Sequence, residues 1–304
     1  MNKIIQGDAL AVLKTLDSES IDMVMTSPPY WALRDYGVDG QLGLEPTFQE
    51  YINKLCDIFD EVKRVLKPEG TCWVNIGDTY SGNKEGKTDN KVSSYLKNES
   101  KGIKKKATIK EKCLCQIPSR FAIEMTNRGW ILRNEIIWYK RNCMPSSVKD
   151  RFTVDFEKIF FFSKNKNYYF KTQYEKFQSK PDDINKKRNK GAENFAKKAG
   201  GKLGPQISEG IRDWYKYGER NKRCVWTINT KGYKEAHFAV YPEELCITPI
   251  KAGCPPKGIV LDIFFGAGTT GKVAQDLGRN YLGIELNSKY IKIAEERLRQ
   301  KSLL

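Results

Sequence analysis

Histidine is almost missing from this chain: His237 is the only one in 304 residues. One imidazole leaves a single candidate base of that kind and removes most Ser-His-Asp and Cys-His schemes. Eight cysteines are present, yet no CxxC pair occurs, and Cys113 and Cys115 lie closest together. Zinc sites need clustered ligands at short spacing, so two reduced thiols are expected there and no metal. There is no apolar run long enough to span a bilayer and no signal-peptide pattern. The chain is therefore expected to be cytoplasmic, without a membrane partner. Apolar residues make up 39% of it, enough for a sizeable core.

What is abundant is positive charge, and it is localised. The net charge is +16; residues 84–112 carry 10 Lys against 4 acids, and residues 171–235 carry 17 Lys and Arg against 8 acids. The rest of the chain is nearly neutral. Basicity confined to two segments is the footprint of a polyanion binder, with Lys104, Lys105, Lys106, Lys186, Lys187 and Arg188 as candidate DNA contacts. The competing reading is a pair of solvated loops with no partner.

Strand and helix patterns alternate along the chain. Lys3–Gln6 reads as a strand, 9–16 as a helix and Ile21–Met25 as an apolar strand. Thr47 and Glu50 form a capping box before a helix whose apolar stripe runs from Tyr51 to Leu66, stopped by Pro68 and Gly70. Thr71–Ile76 is a strand, Ser119–Asn127 a helix, and Ile131–Tyr139 and Phe156–Phe162 are strands. Between 171 and 235 the periodicity is lost. It returns with a strand at Gly258–Leu261, a helix at Thr269–Leu277, a strand at Tyr281–Ile284 and a helix at Ser288–Arg299. Such alternation implies an α/β fold with a doubly wound, mostly parallel sheet. It is interrupted by an inserted module, dividing the chain into 1–170, 171–235 and 236–304.

Two turns carry candidate chemistry. Asp262-Ile263-Phe264-Phe265-Gly266-Ala267-Gly268-Thr269 follows a strand and opens a helix, and Glu285 ends the next strand. Glycines there allow a tight turn and close approach of a ligand, and the acid can accept from ribose hydroxyls, so a nucleoside-type cofactor is expected. Thr26-Ser27-Pro28-Pro29-Tyr30 ends another strand. Two prolines lock the backbone, Ser27 offers a hydroxyl, and Tyr30 and Trp31 offer aromatic faces. Such a turn can hold an amino group and stack on its ring.

These residues resemble the amino-methylating DNA methyltransferases, in the branch whose catalytic motif precedes the cofactor motif. Ser27–Tyr30 matches the family's (Asp/Asn/Ser)-Pro-Pro-(Tyr/Phe) hallmark. The resemblance extends through Gly7-Asp8, Trp73–Asp78, Met144–Ser147, Asp150–Phe152, His237–Ala239, Tyr241-Pro242, the Phe-x-Gly-x-Gly-Thr-Thr stretch and Gly283–Asn287. One departure is Ile263, where the family usually has Pro. The resemblance implies a circularly permuted class I fold of Rossmann-like type. It implies S-adenosyl-L-methionine (AdoMet) bound by Asp8, Asp262, Phe264, Gly266, Gly268, Thr269, Glu285 and Asn287. Ser27, Pro28, Pro29 and Tyr30 would be catalytic, and 171–235 would be a target-recognition domain.

The reaction implied is methylation of an exocyclic amino nitrogen on a base flipped out of double-stranded DNA. Carbon-5 cytosine methylation is rejected, because that chemistry uses a Cys placed after Pro and the chain has no Pro-Cys dipeptide. In the family, Ser in the first position of the motif usually accompanies cytosine N4 and Asp adenine N6. Cytosine is thus favoured over adenine. A cognate restriction endonuclease is left open as a functional companion, and the state is monomer or homodimer. Two weaker readings stand outside this class: an NAD-dependent oxidoreductase, on the glycines and Glu285 alone, and a non-catalytic DNA-binding protein, on charge alone.

Overall fold

The computed structural model describes residues 2–82, 109–176, 219–230 and 240–299. The first half of the chain supplies β1 (Lys3–Gln6), α1 (Ala9–Leu13), β2 (Ile21–Thr26), α2 (Phe48–Val65), β3 (Leu66–Ile76), α3 (Ile117–Asn127), β4 (Ile131–Tyr139) and β5 (Phe156–Ser163). Then come three short strands, β6 (Tyr174–Lys176), β7 (Glu219–Asn221) and β8 (Val225–Thr227). The described residues end with α4 (Glu243–Gly253), β9 (Ile259–Asp262), α5 (Thr269–Asp276), β10 (Asn280–Glu285) and α6 (Ser288–Arg299).

Side chains of the central strands alternate between two cores. Val24 of β2 enters one, with Cys72 and Val74 of β3, while Met23, Met25 and Trp73 enter the other. A period of two with both sets buried is the pattern of a sheet covered on both faces. Leu13 of α1, Tyr51, Leu55 and Phe59 of α2 and Phe121 of α3 cover the first face. Leu245 and Ile250 of α4, Val273 of α5 and Ala294 of α6 cover the second. Helix α2 shows why the sequence pattern was readable. Thr47 accepts from the Glu50 N–H at 3.2 Å, and the stripe Tyr51, Ile52, Leu55, Ile58, Phe59 and Val62 is buried. Each such side chain contributes about 1.5–3 kcal/mol on burial.

Eight strands form one sheet in the order β1-β10-β9-β2-β3-β5-β4-β8. The run from β1 to β3 is parallel throughout, and β8 lies parallel to β4. The alternation expected from sequence holds there, but β5 pairs antiparallel with both β3 and β4. The physical reason is local. Residues 140–155 join β4 to β5 without a helix, and a parallel neighbour requires a crossover that this loop does not provide.

By compactness the chain divides into two units, Thr172–Arg223 and the remainder. In the smaller unit β6 and β7 pair antiparallel, and Glu175 binds Arg220 at 2.9 Å and Arg223 at 2.7 Å. Residues 224–227, grouped by pattern with the insertion, instead carry β8 of the large sheet. No helix among the described residues is long and apolar enough to cross a membrane.

Candidate active site at the carboxyl ends of the parallel strands

From β9 the chain passes through α5 to β10 on one side, and from β2 through α2 to β3 on the other. The β9–β2 junction is therefore a topological switch point, where open α/β sheets form a crevice at the carboxyl ends of their strands. Both candidate motifs begin here. β2 ends at Thr26, immediately before Ser27, and β9 ends at Asp262.

Asp262 joins them. Its carboxylate is buried and accepts from Thr26 Oγ1 at 2.6 Å, Thr270 Oγ1 at 2.6 Å, the Phe264 N–H at 3.1 Å and the Tyr241 hydroxyl at 3.0 Å. Tyr241 also bonds Thr270. Burial raises the carboxyl pKa above its ordinary value, against the opposing pull of these donors. Asp262 is thus a junction between the loop, α5 and β2. Ile263, where the family usually has Pro, is buried in the core of the first face.

Glu285 is placed differently. It ends β10, is only partly buried, and accepts from the Gly266 N–H at 2.7 Å and the Asn287 N–H at 2.8 Å. Burial raises its pKa as well. Two backbone donors orient the carboxylate, and its remaining lone pairs are available to hydroxyls. The glycines of the loop serve separate needs. Gly266 has φ +51°, and a Cβ there would meet nothing nearer than 4.0 Å, so the loop leaves open space at that point. Gly268, at φ +77°, is a packing glycine: a Cβ would lie 3.1 Å from Ala294 of α6. Thr269 is buried and accepts from Arg297 at 2.9 Å, and the Asn287 side chain accepts from the Lys289 N–H at 2.9 Å. Asp8 caps α1, accepting from the Ala11 N–H at 2.9 Å, and Phe264 is half-buried against the core. Open space at Gly266 and an oriented carboxylate at Glu285 together fit a nucleoside-type group.

The Pro-Pro turn is held from below. Tyr51 of α2 donates to the Pro29 carbonyl at 2.8 Å. The Tyr30 hydroxyl donates to Glu157 at 2.6 Å and lies 3.3 Å from Asn75 Oδ1. Asn75 Nδ2 donates to the same Glu157 oxygen at 3.1 Å, and Lys140 pairs with the other oxygen. Ser27 Oγ donates to Asn75 Oδ1 at 3.4 Å, a long bond. Burial, and then the negative charge of Glu157, push the Tyr30 phenol well above its ordinary range, so it stays neutral. The ring lies against Gly77: a Cβ there would come 2.4 Å from Tyr30 Cε2.

The fold therefore brings Ser27–Tyr30, Asp262, Gly266 and Glu285 to one end of one sheet. Lys104, Lys105, Lys106, Lys186, Lys187, Arg188 and His237 lie outside the described residues. Sequence reasoning assigned no role to Glu157, Lys140, Asn75 or Tyr241. A signal existed for Asn75, a buried amide within β3, whereas Glu157 stands beside Lys158 at the start of β5 and reads as an ordinary charged pair at a strand end. Among the described residues no cluster of three or more His, Cys, Asp or Glu could hold a metal ion.

Comparison with known proteins agrees with this arrangement. A family model described as DNA methylase, covering the N6 and N4 enzymes, matches residues 21–296. The type II methyltransferase M.SmaI of Serratia marcescens is 41% identical over 302 residues, covering 97% of this chain and 90% of that protein. M.Cfr9I of Citrobacter freundii is 40% identical over 97% of this chain and 87% of its own length. Among solved structures, the cytosine-N4-specific PvuII DNA methyltransferase superposes with a TM-score of 0.65 at 20% identity, over 100% of this chain and 88% of that one. The M1.HpyAVI complex with SAM gives a TM-score of 0.55 at 18% identity, over 98% of this chain and 100% of that one. The fold is that of these methyltransferases, and the chain belongs to the N6/N4 DNA methylase family.

Proposed function

We propose that this protein is a site-specific DNA methyltransferase that moves the methyl group of AdoMet to N4 of cytosine in double-stranded DNA, as the modification half of a type II restriction–modification system. The observation that carries this reading is the 2.6 Å bond from Thr26 to Asp262, which couples the base-handling turn to the nucleoside loop. The names of the curated relatives support the biological setting.

Bound AdoMet would supply an electrophilic sulfonium methyl group. Glu285 would take its ribose hydroxyls, with Gly266 giving backbone access and Asp8, Phe264 and Asn287 lining the adenine side. Asp262 and Thr269 act through the loop they hold. The target amino nitrogen is a poor nucleophile because its lone pair is delocalised into the ring. Ser27 sends its own proton to Asn75, which leaves its oxygen lone pairs to accept an N–H of the amino group. The Pro28 carbonyl serves as a second acceptor. Holding the amino group this way aims the nitrogen lone pair, a gain from orientation. Transfer would exchange the C–S bond for a new N–C bond, the sulfur keeping the bonding pair, and the surplus proton on the nitrogen would pass to solvent from the N–H groups that Ser27 and the Pro28 carbonyl hold. Tyr30 presents its face to the flipped ring, since its hydroxyl is engaged by Glu157.

Ser27 at the first position of the turn favours cytosine. Adenine N6 is the second reading, favoured by the breadth of the matched family. The test is incubation with tritiated AdoMet and plasmid DNA, followed by mass spectrometry of the nucleosides. N4-methylcytosine is expected. N6-methyladenine as the sole product would overturn the cytosine assignment and keep the pocket, whereas no transfer to any DNA would overturn the whole reading.

A further inference from the structure

Of the twelve large apolar residues exposed among the described residues, six fall between Tyr139 and Phe156: Tyr139, Met144, Val148, Phe152, Val154 and Phe156. Phe152 is 95% exposed and Met144 86%. Exposed apolar residues scattered singly need no explanation, but four in one loop, Met144, Val148, Phe152 and Val154, with Tyr139 and Phe156 on the strand ends that flank it, do. The loop is firmly footed. Lys140 N–H donates to the Asp155 carbonyl at 2.7 Å, closing its base, and the Asn142 side chain exchanges two 2.9 Å bonds with the Thr230 backbone. Asp150 pairs with Lys112 at 2.7 Å, and the Arg151 guanidinium sits 3.7 Å from the Tyr80 ring. The apolar side chains are thus presented outward from an anchored loop rather than from a fraying end. Basic residues Arg141, Lys149 and Arg151 are interspersed with them. At the foot of the loop Lys140 pairs with one oxygen of Glu157, whose other oxygen accepts from the Tyr30 hydroxyl, so the loop starts beside the Tyr30 turn.

We infer that the β4–β5 loop is a DNA-facing wedge. Phe152 enters the stack where the extruded base leaves a gap, and Arg141, Lys149 and Arg151 meet the flanking phosphates. This rests on the proposed DNA-methylating function. An apolar side chain inserted at a base step offsets lost stacking, and cationic neighbours match the phosphate charge. The favoured partner is the duplex because Arg141, Lys149 and Arg151 carry the complementary charge sign and Lys140 ties the loop to the Glu157 that holds Tyr30.

The experiment uses the full chain and a duplex containing a site first located on methylated plasmid DNA. One duplex is fully paired; in the other the nucleotide opposite the target is abasic, so extrusion costs little. Phe152→Ala is expected to slow methylation of the paired duplex by about ten- to a hundredfold while leaving the abasic duplex within about threefold of wild type. Phe152→Leu should recover much of the loss, and AdoMet affinity should not move. No loss on the paired duplex would overturn the wedge, and so would an equal loss on both duplexes. A change from dimer to monomer on Phe152→Ala would overturn it too, by assigning this face to a second copy of the chain. If wild type methylates no DNA, the functional reading itself fails, which is a distinct result.

Discussion

Thr26 Oγ1 donates to Asp262 Oδ1 at 2.6 Å across 236 positions of sequence, tying the residue before Ser27 to the residue that starts the glycine loop. Thr26→Val keeps the shape and removes the donor. The buried carboxylate then lacks one partner, which costs about 1–3 kcal/mol. Denaturant unfolding at neutral pH should show that loss, and Thr26→Ser should restore most of it. The sign with pH follows from burial. Asp262 has a folded pKa raised above its ordinary value, so its protonated form suits the fold, and stability is lost as pH rises through the raised value. The hydroxyl of Thr26 offsets that loss. The difference between wild type and Thr26→Val should therefore shrink as pH falls through the same window.

Glu285 should make AdoMet binding pH-dependent, with affinity lost as pH falls through its raised pKa. Burial raises its pKa, and in the proposed role the ionised carboxylate is the form that would accept from two ribose hydroxyls. Affinity measured by calorimetry should be constant above the raised value and fall as pH drops through it. Glu285→Gln should bind more weakly at neutral pH and lose most of the acid-side dependence. An unaltered profile in the variant would move the ribose contact to another residue.

The parts of this site that were legible in sequence are those with a local signature. The Pro-Pro turn, the glycine loop and Glu285 each sit where an apolar strand ends, and period-two and 3.6-residue patterns show those ends. What was not legible depends on contacts distant in sequence. Glu157 lies 127 positions from Tyr30, and nothing near either residue indicates their bond. Helix α4 escaped because Pro249 sits inside it, and Pro ordinarily argues against a helix. Strand β8 is three residues long and lies beside a basic, aromatic segment, so no period could develop. The glycine motif was readable as a motif, but only the fold separates Gly266, which faces open space, from Gly268, which makes room for α6.

The Lys-rich segment should act on DNA through charge alone. Lys104, Lys105 and Lys106 fall in a run of 10 Lys against 4 acids. Each phosphate neutralised contributes about 0.9 to the slope of log affinity against log salt. Replacing all three with Gln should flatten that slope by up to about 2.7 without altering which sites are methylated. Filter binding across a salt series, with sequencing of the methylated DNA, checks both parts. New methylated sites in the variant would assign recognition to 84–112, leaving 171–235 with a lesser share.

Tyr30 should be more sensitive to its surroundings than to its own hydroxyl. Its ring rests on Gly77, where a Cβ would come 2.4 Å from Cε2, and its hydroxyl is held by Glu157. Gly77→Ala must displace the ring, because the neighbouring Tyr30 turn is pinned by Tyr51 on the Pro29 carbonyl. Loss of a base-stacking platform costs about 1–3 kcal/mol, which predicts about ten- to a hundredfold slower turnover with unchanged AdoMet affinity. Tyr30→Phe keeps the ring and loses one hydrogen bond, leaving Glu157 to Asn75 and Lys140, so it should cost about tenfold or less. Glu157→Gln keeps an acceptor for Tyr30 but discards the charge that pairs with Lys140. Its effect should appear in kcat rather than in KM for AdoMet. Single-turnover methylation of plasmid DNA by the three variants separates these cases. Gly77→Ala turning over as fast as wild type would remove Tyr30 from the stacking role.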